Sequence, residues 1–262
     1  MHECPLCKNE LLRVEVDTSG DVLRARPCSC RVPCALCGNR GFTFEPDASG
    51  YSVAKPCSCE GLRGRARFFG EANLPARYVD ATLEGFKPAP FQRPAHHAAY
   101  VFAREYVDGR RGLLFYGNCG TGKTHLGVAI LRHLVARRGI RVRFVEFKHL
   151  IAELREAFSG VEGRASTLMR SLVEVPVLLV DELGKGARRE WEQDVLDELI
   201  SRRYNARRTT LFTTNYPVGG SEPAGETLEA RIGVRIQSRL DEMCDKVVLN
   251  GEDMRRRAGR NP

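Results

Sequence analysis

Beyond about residue 110, the apolar positions of this chain gather in short unbroken runs separated by periodic stretches. Leu113–Gly117 reads LLFYG and Pro176–Val180 reads PVLLV; Val142–Phe147, Thr209–Phe212 and Lys246–Leu249 are three further β-type runs. Short apolar runs of this kind suit strands buried on both faces, as in a parallel sheet. Between the runs the spacing becomes helical. Leu126, Ile130, Leu131 and Leu134 recur on one face. Helices are also predicted from about Pro94 to Val107, over Lys148–Phe158 and over Arg164–Val173, the last two parted by a glycine-containing break at Gly160–Gly163. Two helices stand there where a simple crossover needs one. The pattern predicts an α/β domain with five parallel strands.

The first sixty residues are patterned differently. CPLCKNELLRVEVDTSGDVLRARPCSC aligns with CALCGNRGFTFEPDASGYSVAKPCSC. Each copy has a β-type run, a turn and a second run: Leu11–Val16 and Val22–Arg26, then Phe42–Glu45 and Tyr51–Lys55. Asp, Ser and Gly supply the turn conformations. A hairpin returns the chain to its start, so C-x-x-C meets C-x-C and four sulfurs can hold one tetrahedral Zn²⁺. The expected ligands are Cys4, Cys7, Cys28 and Cys30, then Cys34, Cys37, Cys57 and Cys59, for two ions. A nested arrangement, in which Cys28 and Cys30 join Cys34 and Cys37, stays open. Segments this short bury little apolar area, and metal binding would supply the missing folding energy. A closed four-sulfur site has no position for chemistry, so this module should bind partners.

Composition sharpens the division. The chain has 262 residues, 42% of them hydrophobic, and a formal net charge of +8. Residues 1–66 carry nine basic and eight acidic side chains, so nearly all the surplus lies later and points to an anionic partner. MHECPLCKNE has no apolar signal region and no run of eighteen apolar residues occurs, so neither export nor a membrane span is expected. A cytoplasmic chain keeps its thiols reduced, which disfavours disulfides. GLRGRARFFG, Gly61–Gly70, reads as a basic linker. The expected domains are a tandem zinc module, 1–66; a linker and first helix, 67–111; and a nucleotide-binding domain, 112–262.

The run LLFYG leads into Gly117-Asn118-Cys119-Gly120-Thr121-Gly122-Lys123-Thr124, with His125 next. This matches G-x-x-x-x-G-K-[ST] with a strand before and a helix after. Glycines aim backbone N–H groups into one concavity, and the helix N-terminus adds its positive end. Lys123 should reach the β- and γ-phosphates of ATP, and the Thr124 hydroxyl should complete an Mg²⁺ shell. At the end of PVLLV, Asp181 fits the Mg²⁺ position and Glu182 can activate a water. The run Thr209–Phe212 ends in Thr213-Thr214-Asn215, where a polar side chain could sense the γ-phosphate. Arg231, Arg235 and Arg239 fall at i, i+4 and i+8, which puts them on one face if the helix is continuous.

LPARYVDATLEGF, GLLFYGNCGTGKTHL, VLLVDELG, ELISRRYNARRTTLFTTNYP and SRLDEMCDKVVLNGEDMRR together resemble the DnaC/DnaI/IstB group of AAA+ ATPases, bacterial helicase loaders and transposition helpers. The resemblance spans about Leu74 to Arg256. It implies an AAA+ P-loop fold without a helical lid, Lys123 and Thr124 on the phosphates and metal, Asp181 and Glu182 as metal holder and base, and Asn215 as sensor. It implies Arg239 as an arginine finger for a neighbouring subunit, with Arg235 the rival. The implied task is ATP hydrolysis in loading a replicative helicase, gripped through residues 1–66. Single-stranded DNA would meet the ATPase domain, with Arg164 and Arg170 as candidate contacts, and subunits would associate around ATP. An IstB-like transposition helper and a chaperone-like adaptor gated by ATP are the rival readings. The fragment from Cys34 to Phe42 also resembles the cysteine repeats of DnaJ-type chaperones, where nested pairing is found.

Overall fold

The computed structural model describes residues 4, 7, 12–30, 35–38, 40, 42–47, 49–57, 60–159, 163–186, 190–219 and 227–255. The chain falls into two compact units, residues 1–79 with 134–141, and residues 80–133 with 142–262.

The first unit contains two antiparallel hairpins. Strand β1 (Leu12–Val16) pairs with β2 (Leu23–Pro27), from Leu12 opposite Pro27 to Val16 opposite Leu23. Strand β3 (Phe42–Pro46) pairs with β4 (Ser52–Pro56), from Phe42 opposite Pro56 to Pro46 opposite Ser52. Both turns use the same device. Asp17 Oδ1 accepts from Gly20 N at 3.1 Å, and Asp47 Oδ1 accepts from Tyr51 N at 2.9 Å; Gly20 and Gly50 take positive φ. The aspartate thus holds the turn that its glycine makes sterically free.

The Gly61–Gly70 stretch is not an extended linker. It lies within helix α1 (Glu60–Glu71). Its glycines are outweighed by an apolar stripe, Leu62, Ala66 and Phe69, at helical spacing. Phe69 is fully buried with Leu12, Leu23, Ala72 and Leu74. Backbone bonds tie the first hairpin to the chain after α1: Leu23 N donates to Leu74 O at 2.8 Å, and Ala76 N to Asp21 O at 2.9 Å.

The second unit is a five-stranded parallel sheet with helical connections. Its elements are α2 (Arg93–Arg104), β5 (Gly112–Tyr116), α3 (Lys123–Arg138, whose C-terminal turns cluster with the first unit), β6 (Val142–Glu146), α4 (Phe147–Ser159), α5 (Arg164–Glu174), β7 (Val177–Asp181), α6 (Glu190–Asn205), β8 (Thr209–Thr214), α7 (Leu228–Ile232), α8 (Val234–Met243) and β9 (Cys244–Val248). The strand order is β6-β7-β8-β5-β9, every pair parallel. The five strands expected from sequence are all present. Strands β7 and β8 are buried at every position, β7 through its apolar run VLLV and β8 through Leu211 and Phe212 flanked by buried threonines. All four expected core residues of α3 are fully buried.

Arg203 on α6 is also fully buried. It donates to Thr210 Oγ1 at 2.8 Å, to Val175 O at 3.0 Å and to Thr209 O at 2.6 Å, so it ties the end of α5 to β8. Burial pulls this guanidinium down to about 9. Among the described residues no helix is long and apolar enough to cross a membrane.

Candidate functional site

The strand order brings the site together. Strand β8 lies between β5 and β7, so the loop after β5, the carboxylate ending β7 and the hydroxyls ending β8 share the C-terminal edge of the sheet. The Asp181 carboxylate is 2% exposed. Its Oδ1 accepts from Thr124 Oγ1 at 2.8 Å and from Thr213 Oγ1 at 2.5 Å. Burial raises its pKa, and those two hydroxyls act against the rise. Thr213 Oγ1 in turn accepts from Glu182 N at 3.0 Å. One hydroxyl therefore couples both acidic residues to β8. Glu182 stands in the left-handed region, with φ 56, where a side chain other than glycine is uncommon.

The loop between β5 and α3 turns through positive-φ glycines at 117, 120 and 122. Gly117 is required twice over: its φ is +130, and a Cβ there would strike the Leu249 carbonyl. The segment after β9 runs beside this loop. Leu249 N donates to Tyr116 O at 2.7 Å and Met254 N to Gly120 O at 3.0 Å. The Lys123 ammonium donates to Gly117 O at 2.8 Å and to Asn118 O at 2.6 Å. Burial pulls it down to about 8, against the charges of Cys119, Asp181 and Glu182, which favour the ammonium. Thr121 Oγ1 donates to Asn118 O at 2.9 Å, and Thr121 O accepts from Gln92 Nε2 at 2.8 Å. His125 stands with its ring 5.0 Å from that of Phe86, and burial lowers its pKa. Cys119 is exposed.

Thr124 and Asp181 thus meet, with Lys123 and Glu182 adjoining them in sequence. Thr124 and Asp181 carry the hard oxygen donors that suit Mg²⁺. Asn215 is exposed, one residue past β8, and the strand-end hydroxyl against Asp181 belongs to Thr213. Gln92 gave no sequence signal, because no motif or period marks a side chain that reaches a loop from far along the chain.

The arginines correct an expectation. Arg231, Arg235 and Arg239 do not share one helix, because Gly233, at φ 87 and ψ 153, parts α7 from α8. Arg231 stacks on Tyr216, 4.5 Å from its ring centre. Arg235 and Arg239 both face Asp197 on α6, at 3.8 and 2.5 Å. The Arg235 side chain is 74% exposed and that of Arg239 only 21%. Arg164 and Arg170 are exposed on α5.

In the first unit Cys4, Cys7, Cys28 and Cys30 meet, with all four sulfurs within 4.8 Å of one another. Cys7 and Cys30 sulfurs are 3.4 Å apart, those of Cys4 and Cys28 3.9 Å. Zn–S bonds of about 2.3 Å in a tetrahedron put sulfurs about 3.8 Å apart, so the set fits the ion. Crowding by Cys7, then Cys28 and Cys4, pushes the Cys30 thiol up, as expected where thiolates would gather without a cation. This is the one-repeat grouping; the nested alternative would have taken Cys28 and Cys30 elsewhere. In the second repeat Cys37 and Cys57 are buried, while Cys34 and Cys59 lie outside the described residues.

Known proteins resemble a large part of this chain. The replicative helicase loader DnaC of Escherichia coli K12 is 27% identical over 175 residues, covering 66% of this chain and 68% of that protein. DnaC of Buchnera aphidicola subsp. Schizaphis graminum is 27% identical over 151 residues, 57% of this chain, and the match spans only 61% of that relative's length. A crystal structure of the DnaC helicase loader superposes with a TM-score of 0.59 at 31% identity, over 66% of this chain and 98% of that one. Residues 73–261 match the family described as IstB-like ATP binding protein, and the chain belongs to that family.

Proposed function

We propose that this protein binds and hydrolyses ATP in order to load a replicative helicase onto DNA. The observation that carries the reading is the Thr124–Asp181–Thr213 cluster beside Lys123 and Glu182. In this reading the loop 117–125 cradles the phosphates and Lys123 neutralises their charge. Thr124 and Asp181 would hold Mg²⁺, which would offset the charge of the phosphate oxygens. Glu182 accepts the proton of the attacking water, and Asn215, with Thr213 behind it, helps place that water. Arg239 of one subunit, with Arg235 its more exposed rival, completes the neighbour's site, so subunits associate around ATP. Arg239 must then leave Asp197 at assembly.

The loader role is supported by the likeness to DnaC. The zinc-binding module, 1–66, would contact the helicase, the segment 67–111 would join it to the ATPase domain, and residues 112–262 would contact single-stranded DNA. Two Zn²⁺ ions are proposed, the first on Cys4, Cys7, Cys28 and Cys30, the second on Cys34, Cys37, Cys57 and Cys59, in a cytoplasm that keeps the thiols reduced. A second reading, an ATPase that presents target DNA to a transposase, is favoured by the family match, which is to IstB-like proteins.

The test is deposition of the host's replicative helicase on circular single-stranded DNA, with and without this protein and ATP. Deposition that needs the protein and fails with Lys123→Ala supports the loader. ATP hydrolysis without any effect on the helicase sinks it and leaves the transposition or adaptor reading.

A further inference from the structure

Glu182 is held by another side chain. Its Oε2 accepts from Lys185 Nζ at 2.5 Å, and the Lys185 amide donates to the Glu182 carbonyl at 3.1 Å. The backbone is shaped for this return. Glu182 and Gly184 have φ of 56 and 84, and Gly186, after Lys185, has 140. A side chain at Gly184 would press on Leu228, Tyr216 and Arg231, so the tight path is fixed by packing as well as by φ. Asp181 and Glu146 also favour the charged form of the ammonium. Its hydrogen bond is with Glu182, yet the Lys185 side chain is 53% exposed while that of Glu182 is 28% exposed. The base is sheltered and its partner reaches into solvent.

We propose that Lys185 is a positioning residue that latches the Glu182 carboxylate and restrains ATP hydrolysis until an anion at the surface draws the lysine away. The inference rests on Glu182 being the base. In the reaction the water oxygen bonds to the γ-phosphorus, the bond from that phosphorus to the β–γ bridging oxygen breaks, and Glu182 takes the water's proton. ADP and inorganic phosphate are the products. A carboxylate oxygen engaged by an ammonium is a poorer acceptor for that proton, and it is turned toward the lysine. Because the pair is half in solvent it is weak and exchangeable. That is what a latch requires, and it bounds the effect: release should raise the rate about two- to fivefold.

The experiment measures kcat and KM for ATP, with saturating Mg²⁺, on the full chain and its variants Lys185→Met, Lys185→Arg and Glu182→Gln. The latch predicts a roughly two- to fivefold higher kcat for Lys185→Met with unchanged KM, and the parent rate for Lys185→Arg. It also predicts that the gap between parent and Lys185→Met closes as salt is raised, because screening weakens an exposed pair. An unchanged or lower kcat in Lys185→Met, with Glu182→Gln inactive, overturns the latch and leaves the base assignment standing. Normal hydrolysis by Glu182→Gln removes the base itself and takes the latch with it.

Discussion

The two units of this chain reach order by different means. The ATP-site unit buries whole strands: β7 and β8 have no exposed residue. In the first unit the second hairpin leaves Phe42, Phe44, Tyr51 and Val53 exposed. The first hairpin has α1 to pack on, and the four sulfurs of Cys4, Cys7, Cys28 and Cys30 converge besides. A hairpin of two five-residue strands is at best marginal in water. The contrast teaches that converging cysteines stand where the chain is too short to build a core, whereas the loop 117–124 and Asp181 sit on a sheet whose strands β7 and β8 are fully buried.

Metal removal should break the comparison most sharply. Structural zinc in small modules contributes on the order of 10 kcal/mol of folding energy. Elemental analysis should find two zinc ions per chain, and Cys28→Ser should retain one. Chelation should disorder the hairpins, read as fast amide exchange over residues 12–57, while nucleotide binding persists. If ATP binding disappears together with zinc, the two units are not separable and the contrast fails.

Glu182→Gln acts on the other side. Hydrolysis should fall about 10²–10⁴-fold, the usual contribution of a general base, with ATP affinity and zinc content unaltered. Equilibrium binding of a fluorescent ATP analogue and steady-state phosphate release check the two halves of that statement.

A smaller effect follows from the Lys123 ammonium, which burial pulls down to about 8. Phosphate binding needs the charged form, so affinity for ATP should fall above pH 8, by up to about tenfold per pH unit. Stability without nucleotide moves the other way. Unfolded lysine binds its proton up to about 10.4, so between the two values the unfolded state holds more protons and folding is favoured as pH rises. Denaturation midpoints of the parent and Lys123→Met from pH 7 to 10 should diverge in that window. Parallel curves would show that Lys123 is not buried in its charged form.

Least in size is the effect on DNA. Arg164→Ala or Arg170→Ala should reduce the salt slope of single-strand binding by about 0.7 for each phosphate left unneutralised, with no change in ATP hydrolysis without DNA. A slope unaffected by both changes would remove α5 from the DNA surface.

Much of this molecule is legible along the chain because its signals are local. An unbroken apolar run has few alternatives to a buried strand, and all five strands stand at their expected places. The loop 117–124 carries its geometry in its glycines, and Asp181 and Glu182 stand at a strand end that the run PVLLV marks. The repeated cysteine spacing likewise leads to the grouping seen at Cys4, Cys7, Cys28 and Cys30. The Gly61–Gly70 stretch misleads because its glycine content masks the Leu62, Ala66 and Phe69 stripe, and the strand that α1 packs on, β2, lies elsewhere in sequence.

Tertiary structure decided the matters of partnership. Arg202 and Arg203 are neighbours of one type, yet Arg202 pairs with Glu198 at the surface and Arg203 is caged by backbone carbonyls. Only the packing of α5 on the sheet distinguishes them. Thr213 rather than Asn215 meets Asp181 because Thr213 still lies within β8, beside the end of β7, whereas Asn215, of the same parity, stands one residue past the strand. Whether the arginines from 231 to 239 share a face depended on the φ of one glycine. Local sequence determines which element forms and where its chemistry stands, because propensity, turn geometry and ligand spacing act over a few residues. Which side chain meets which is set by long-range packing, whose energy exists only once the chain has closed on itself.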